Sequence, residues 1–295
     1  MSRAAAAIAD VFLDASVEGF LHARQIGGPM AVDIGGSVVV PMASVYKAHV
    51  AAAWARAVEA GELDPRERHR CAPDHRLEGP TGIAALADDI EMSSRDLVRS
   101  MLSVSDNAAA DIVFDAVTPA RMERLVSDLE LRATTLRRST RESLDAAMHD
   151  TATHSFDAAL IALASIAQDQ GTSEYDPAHA SATSAFDATR LLTWLWQQEG
   201  RAFDWVRASM AGQAWRHRIA SGFPHDDVVV AGKTGSLGAL RHEIAVVTFP
   251  DELPIAVAIF TRAIRAERHQ PRIDAAIGEA ARIAVHGLRE PRDAA

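Results

Sequence analysis

The chain has 295 residues, 48% of them hydrophobic and 24% charged. That is the balance of a folded protein with enough length for a sizeable core, as one large domain or two intimate halves. A formal net charge of −10 argues against a nucleic-acid partner, whose phosphates call for a basic face, and against docking on an anionic membrane. The single Cys71 excludes an internal disulfide, and twelve histidines without ligand spacing give no reason to expect a metal or other cofactor.

In chain order, Ala4 to Ala23 carries Asp10, Asp14 and Glu18 at helical spacing and predicts an amphipathic first helix rather than a secretory signal. With no apolar run near the ~18 residues of a membrane span, the expected location is the cytoplasm if Met1 is the native start, or outside it if a leader has been trimmed. Pro29 to Ile34, Gly35-Gly36 and Ser37 to Val40 predict a β-hairpin with a Gly-Gly turn, closed by Pro41. A helix is expected from about Ser44 to Ala60, with Gly61 as its stop.

From there to about residue 215 the signal is almost wholly helical. Ser93-Ser94-Arg95-Asp96 predicts a capped helix over Leu97 to Leu102. Asn107 to Ala116 and Pro119 to Leu129 follow, then a polar arginine-rich stretch, then Phe156 to Ala167. Gln168 to Ser184 reads as a surface loop, and Leu191 to Gln198 as helix. Beyond residue 225 the runs Val228 to Ala231, Ile244 to Phe249 and Ile255 to Arg262 predict strands, before a last helix over Ile273 to Leu288. Strands at both ends and helices between them predict a mixed α/β (α+β) protein. One mostly antiparallel sheet would be made from residues 1–42 and 216–295, with a helical subdomain over 43–215 and the site at their interface.

Of the thirty basic residues only two are lysine, Lys47 and Lys233. Arginine serves wherever a solvated charge suffices, whereas a buried lysine amine can be tuned to take and release a proton. Both lysines sit in motifs. Ser44-Val45-Tyr46-Lys47 places a hydroxyl and an amine three apart at a helix start, where backbone N–H groups and a partial positive charge favour a developing oxyanion. Ser105-Asp106-Asn107 falls in a break between helices, where Ser105 can relay a proton and the Asn107 amide can orient Lys47 and bind a substrate carbonyl. Lys233-Thr234-Gly235-Ser236 ends a strand, with Gly235 permitting close approach and the Ser236 N–H able to complete an oxyanion hole with that of Ser44. Read singly, these three motifs would be a helix cap with a surface lysine, an N-cap and a β-turn.

Together and in this order they resemble the SxxK, SDN and KTG elements of the serine β-lactamase and penicillin-binding superfamily, most closely the class A β-lactamases. Val104 to Ala110 and Glu59-Ala60-Gly61-Glu62-Leu63 agree with it, and the likeness spans roughly residues 30 to 285. It implies a covalent acyl-Ser44 formed from a β-lactam, amide or ester, with Lys47 as base or proton relay. Ser105 and Asn107 would shape the proton path, while Lys233 and Thr234 hold the carboxylate of a small-molecule substrate. Arg241, on the next strand, is either a second carboxylate anchor or a strand-edge surface arginine.

The likeness fails where class A enzymes carry Glu-x-x-Leu-Asn, whose glutamate activates the deacylating water. Glu142 stands at about the right distance, but Leu144-Asp145 follows out of register. The sequence therefore leaves Glu142 between a base and a solvated loop residue, and leaves open an efficient hydrolase, a slowly deacylating penicillin-binding or esterase-like relative, and a non-turnover sensor of acyl donors.

Overall fold

The computed structural model describes residues 3–165 and 172–289. Helix α1 (Arg3–Asp14) buries Ile8 and Phe12 and stops at Ser16, whose φ is +55°. Strand β1 (Val17–Gln25) follows immediately. The expected helix through Ala23 is therefore half as long, because Val17–Gln25 finds nine cross-strand partners near the C-terminus that local spacing cannot reveal. Gly19 is where the two elements meet: a Cβ there would lie 2.4 Å from the Phe12 ring.

Strand β2 (Ala31–Ile34) pairs back onto β1 through the turn at 26–30, so the hairpin lies one strand earlier than its Gly-Gly signal placed it. Residues 37–40 do not return along β2; instead β3 (Val40–Pro41) pairs with β6 (Ala182–Thr183). The chain then enters α2 (Tyr46–Glu59), where eleven residues from Tyr46 to Ala57 are buried. Six alanines on α2 let neighbouring helices close on it from several sides.

A short hairpin of β4 (Arg68–Cys71) and β5 (Ile90–Ser93) leads to α3 (Ser94–Ser103), whose N-cap Ser93 accepts the Asp96 N–H. Helices α4 (Asn107–Val117) and α5 (Pro119–Asp128) follow, α5 opening on proline, whose missing N–H is not needed there. The polar, arginine-rich stretch, for which no element was predicted, leads into α6 (Thr140–Asp150). Beyond it lie α7 (Phe156–Ser165), α8 (Ala185–Gln197) and α9 (Arg201–Ala211). Part of the Gln168–Ser184 loop is outside the described residues. The remainder holds a 3₁₀ turn at Ser173–Tyr175 and strand β6.

Strands β7 (Val229–Leu237), β8 (Leu240–Thr248) and β9 (Ile255–Ala263) complete an antiparallel five-stranded sheet in the order β2-β1-β9-β8-β7, and α10 (Pro271–Leu288) ends the described chain. Helices α1 and α10 cover one face through Ile8, Phe12, Leu21, Ile259 and Ile277. On the other face, Ile244, Ala256, Ala258 and Phe260 pack toward the helices. Burial on both sides explains why β8 and β9 read as near-continuous apolar runs. No described helix is long and apolar enough to cross a membrane.

The break between α3 and α4 is held by Asp106, which is fully buried. Its carboxylate caps α4 by accepting the Ala109 N–H at 3.1 Å, and it also accepts the Ile83 N–H at 2.7 Å and the Ser100 hydroxyl at 2.6 Å. Replacing Asp106 by Ala leaves two buried N–H donors and one partly buried hydroxyl unsatisfied, and urea unfolding should show a loss of about 2–4 kcal/mol. A loss below about 1 kcal/mol would show that this loop is held by something else.

Candidate active site

The nucleophile candidate enters on strained backbone. Ala43 has φ +44°, a left-handed conformation that a residue with a Cβ adopts only where its surroundings impose it. The 3₁₀ turn Ala43–Val45 runs into α2 and leaves Ser44 partly exposed at the wall of a cavity of about 450 Å³. Three residues on, Lys47 is fully buried. Its Nζ donates to the Ser105 carbonyl at 2.8 Å and to Asn107 Oδ1 at 2.9 Å, with the Ser105 hydroxyl at 3.4 Å. Burial lowers its pKa to about 7, against the opposing pull of Asp106 and Asp111.

Ser105 itself has φ +60°, and the triply held Asp106 beside it keeps that conformation in place. Lys233, also fully buried, reaches the same hydroxyl from the other side: Nζ lies 3.0 Å from Ser105 Oγ and 2.7 Å from the Thr234 carbonyl. Burial, then the charges of Lys47 and Arg218, push the Lys233 amine well below the ordinary lysine range. The two amines thus flank one hydroxyl, and each disfavours the other's charge.

Strand β7 lies against the nucleophile turn. A Cβ on Gly235 would come within 2.8 Å of the Met42 carbonyl, so only glycine allows this approach. The strand is fixed from behind by Gln213, whose Oε1 accepts the Thr234 N–H and whose Nε2 donates to Glu243, each at 2.8 Å. Glu243 also accepts the Ile219 N–H at 2.6 Å, and burial raises its pKa to about 7.

The positive side of the cavity comes from Arg218 and Arg241. Arg218 donates to the Gly235 and His242 carbonyls and to Ser236 Oγ, and pairs with Asp274 at 2.7 Å. Arg241 is buried rather than a surface residue; it donates to the Gly238 and Leu240 carbonyls, and burial beside Arg218 lowers it to about 10.

Ser44, Ser105, Asn107, Thr234, Ser236 and Arg241 therefore line one cavity, with Lys47 and Lys233 bonded to Ser105 beneath it. Glu142 is not brought there. It is exposed, and its carboxylate accepts the Ser139 N–H at 2.8 Å while Ser139 Oγ accepts the Glu142 N–H. Ser-x-x-Glu is a capping box that opens α6, a local use of the carboxylate that spacing from Ser105 could not disclose.

The cavity also contains residues that sequence reasoning passed over. Arg218 belongs to no motif legible in one sequence. Glu174 lay in a stretch read as surface loop because it is polar, yet it is buried and is the buried carboxylate among the described lining residues. It is ion-paired with Arg138 and bonded to Ser143, while burial raises its pKa. The turn that carries it is pinned by Asp150, which accepts from the Thr172 hydroxyl and from the N–H and hydroxyl of Ser173. Tyr46, expected in the core, is buried, but it also borders the cavity and bonds Thr140 at 2.5 Å.

Comparison with known proteins places this arrangement. Residues 3–288 match the beta-lactamase enzyme family. The regulatory protein BlaB of Streptomyces cacaoi is 29% identical over 95% of this chain and 96% of its own length. An ancestral class A beta-lactamase superposes with a TM-score of 0.76 at 18% identity, covering 97% of this chain and all of that one. A PBP-A mutant in acyl-enzyme complex with penicillin G gives 0.74 at 17%, over 96% and 95% of the two chains. Carried on this fold and matched from end to end of its described residues, the chain belongs to the beta-lactamase enzyme family.

Proposed function

We propose that this protein forms a covalent acyl-enzyme at Ser44 with a β-lactam, or another amide or ester bearing a carboxylate, and releases the acyl group slowly. The observation that carries the first half is the convergence of Lys47 and Lys233 on Ser105 beside Ser44. Ser44 Oγ attacks the carbonyl carbon as its proton passes to the neutral Lys47 amine. The backbone N–H groups of Ser44 and Ser236 receive the oxyanion. The proton then leaves by way of Ser105 to the departing nitrogen or oxygen, and the C–N or C–O bond breaks. Thr234, Ser236 and the charge of Arg218 and Arg241 hold the substrate carboxylate.

Slow release is supported by the state of the carboxylates. Glu142 caps a helix, and Glu174 already faces Arg138 and Ser143. The name of the regulatory relative fits a protein whose output is the adduct rather than the product. A second reading rests on Glu174 alone: it is buried at the cavity wall, rigidly mounted, and more basic than an exposed glutamate, so it could draw a proton from the deacylating water.

One experiment separates the two readings. With a chromogenic cephalosporin, the slow-release reading predicts a stoichiometric burst and a lasting adduct by intact mass, absent in Ser44→Ala and unchanged in lifetime in Glu174→Gln. Sustained turnover in the wild type, with an adduct trapped only in Glu174→Gln, would establish the hydrolase. No adduct and no turnover would remove the acyl-enzyme altogether.

The lysines give two further expectations. Lys47→Arg should slow acylation about 10²–10⁴-fold, since guanidinium cannot take the proton. Lys233→Arg places a guanidinium that cannot lose its proton beside Ser105 and should weaken substrate binding no more than about tenfold. Because only the unprotonated Lys47 amine accepts a proton, burst rates should climb with pH below about 7 and level off above it. A profile flat across neutrality would assign the base elsewhere.

A further inference from the structure

Beneath strand β7 a pair of buried side chains joins elements that meet at the site. Neither Glu243 nor Gln213 lines the large cavity, and Glu243 is fully enclosed. One oxygen of Glu243 accepts from Gln213 Nε2 at 2.8 Å, and the other accepts the Ile219 N–H at 2.6 Å. Gln213 passes the first contact on, its Oε1 accepting the Thr234 N–H at 2.8 Å. The pair fits because residue 232 is glycine. A Cβ there would lie 2.7 Å from Glu243 Oε1 and 3.1 Å from Gln213 Nε2.

The segment that carries Gln213 is also bonded to the far side of the site. The Ala214 N–H donates to the Ser103 carbonyl at 2.8 Å, two residues before Ser105. Lys233 and Ser105 meet across the same gap, Nζ to Oγ at 3.0 Å, one on the strand and one on the loop. Gln213 and Ala214 therefore bind both sides of that contact. The second Glu243 oxygen holds the N–H next to Arg218, whose guanidinium reaches the Gly235 carbonyl and Ser236 Oγ. One carboxylate thus registers the strand, the Ser105 loop and the Arg218 turn against one another. The Thr234 N–H needs an acceptor and the carboxylate needs a donor, so only one orientation of the Gln213 amide serves both.

We infer that Glu243 is a positioning residue for the acyl transfer proposed above. It sets the Ser236 N–H and Lys233 against Ser105, and Arg218 against the substrate carboxylate. It acts through Gln213 and Ile219 and touches no substrate itself. Its effect on rate rests on the proposed function; its hold on the strand and the turn does not.

Exchanging the two side chains tests this. In Glu243→Gln, whichever way the two amides turn, one N–H must face another, at Thr234 or at Ile219. In Gln213→Glu, two carboxylates meet. The double variant restores every bond with its direction reversed: the carboxylate at 213 accepts the Thr234 N–H, and the amide at 243 donates to it while accepting the Ile219 N–H. With a chromogenic cephalosporin, each single variant should slow the burst about 10–100-fold. The double variant should be faster than either and within about tenfold of the wild type. Loss of folded protein would lower burst amplitude and leave the rate alone. A burst rate unchanged in Glu243→Gln, or a double variant no faster than the single ones, would overturn the inference. Amide exchange reads the positioning without substrate: β7 and Ile219–Gly222 should exchange faster in Glu243→Gln and regain protection in the double variant. Unchanged exchange would overturn the inference by itself. No adduct in the wild type would instead remove the proposed function, with exchange still deciding what Glu243 holds. Should Glu243→Gln fail to fold, Gln213→Glu set against the double variant makes the same comparison.

Discussion

Two lysine amines taken out of water and set against the same hydroxyl are the constraint around which the rest of the structure is arranged. Each amine would leave water only at a penalty of several kcal/mol if charged and unpaired. The protein answers with carbonyls for both amines, from Ser105, Asp106 and Thr234. Among the described residues, no carboxylate is in direct contact with either one. The charge is therefore moderated rather than neutralised, and the amines stay poised to exchange protons.

Everything around that contact serves to hold it. Asp106 ties the Ser105 loop to α3, α4 and the turn near Ile83. The Glu243–Gln213 pair ties strand β7 to the turn that carries Arg218. Gly235 lets the strand lie on the nucleophile turn. The left-handed backbone of Ala43 and Ser105 marks the two places where local preference yields to this assembly. These supports come from residues far apart in the chain, so the site exists only when the sheet and the helices are docked.

The sequence made the chemistry legible before the architecture. Motif residues were readable because the three motifs carry specific side chains in a specific order. Most helices were readable because their caps and apolar stripes are local. Strand β1 was not: acidic residues at helical spacing mimicked a helix, and only pairing with β9 decides otherwise. The Gly-Gly signal marked a real turn, with Gly35 at φ +58°, but it could not say which strand would turn back. Glu142 was misplaced by counting along the chain, since its nearest use is to cap its own helix. Glu174 and Arg218 carried no signal because their importance arises from what folds over them. The fold and the residues that gather at the cavity could thus be read from sequence; the buried groups that surround them could not.

The scarcity of lysine has one more consequence. Both lysine side chains are wholly enclosed, so the solvent-facing side chains of this protein present no primary amine. Acetylation, carbamylation and amine-directed crosslinking have no lysine to reach on its surface. A lysine adduct would therefore report that the cavity above these amines had opened, and reagents that ordinarily coat a protein would here register only its breathing.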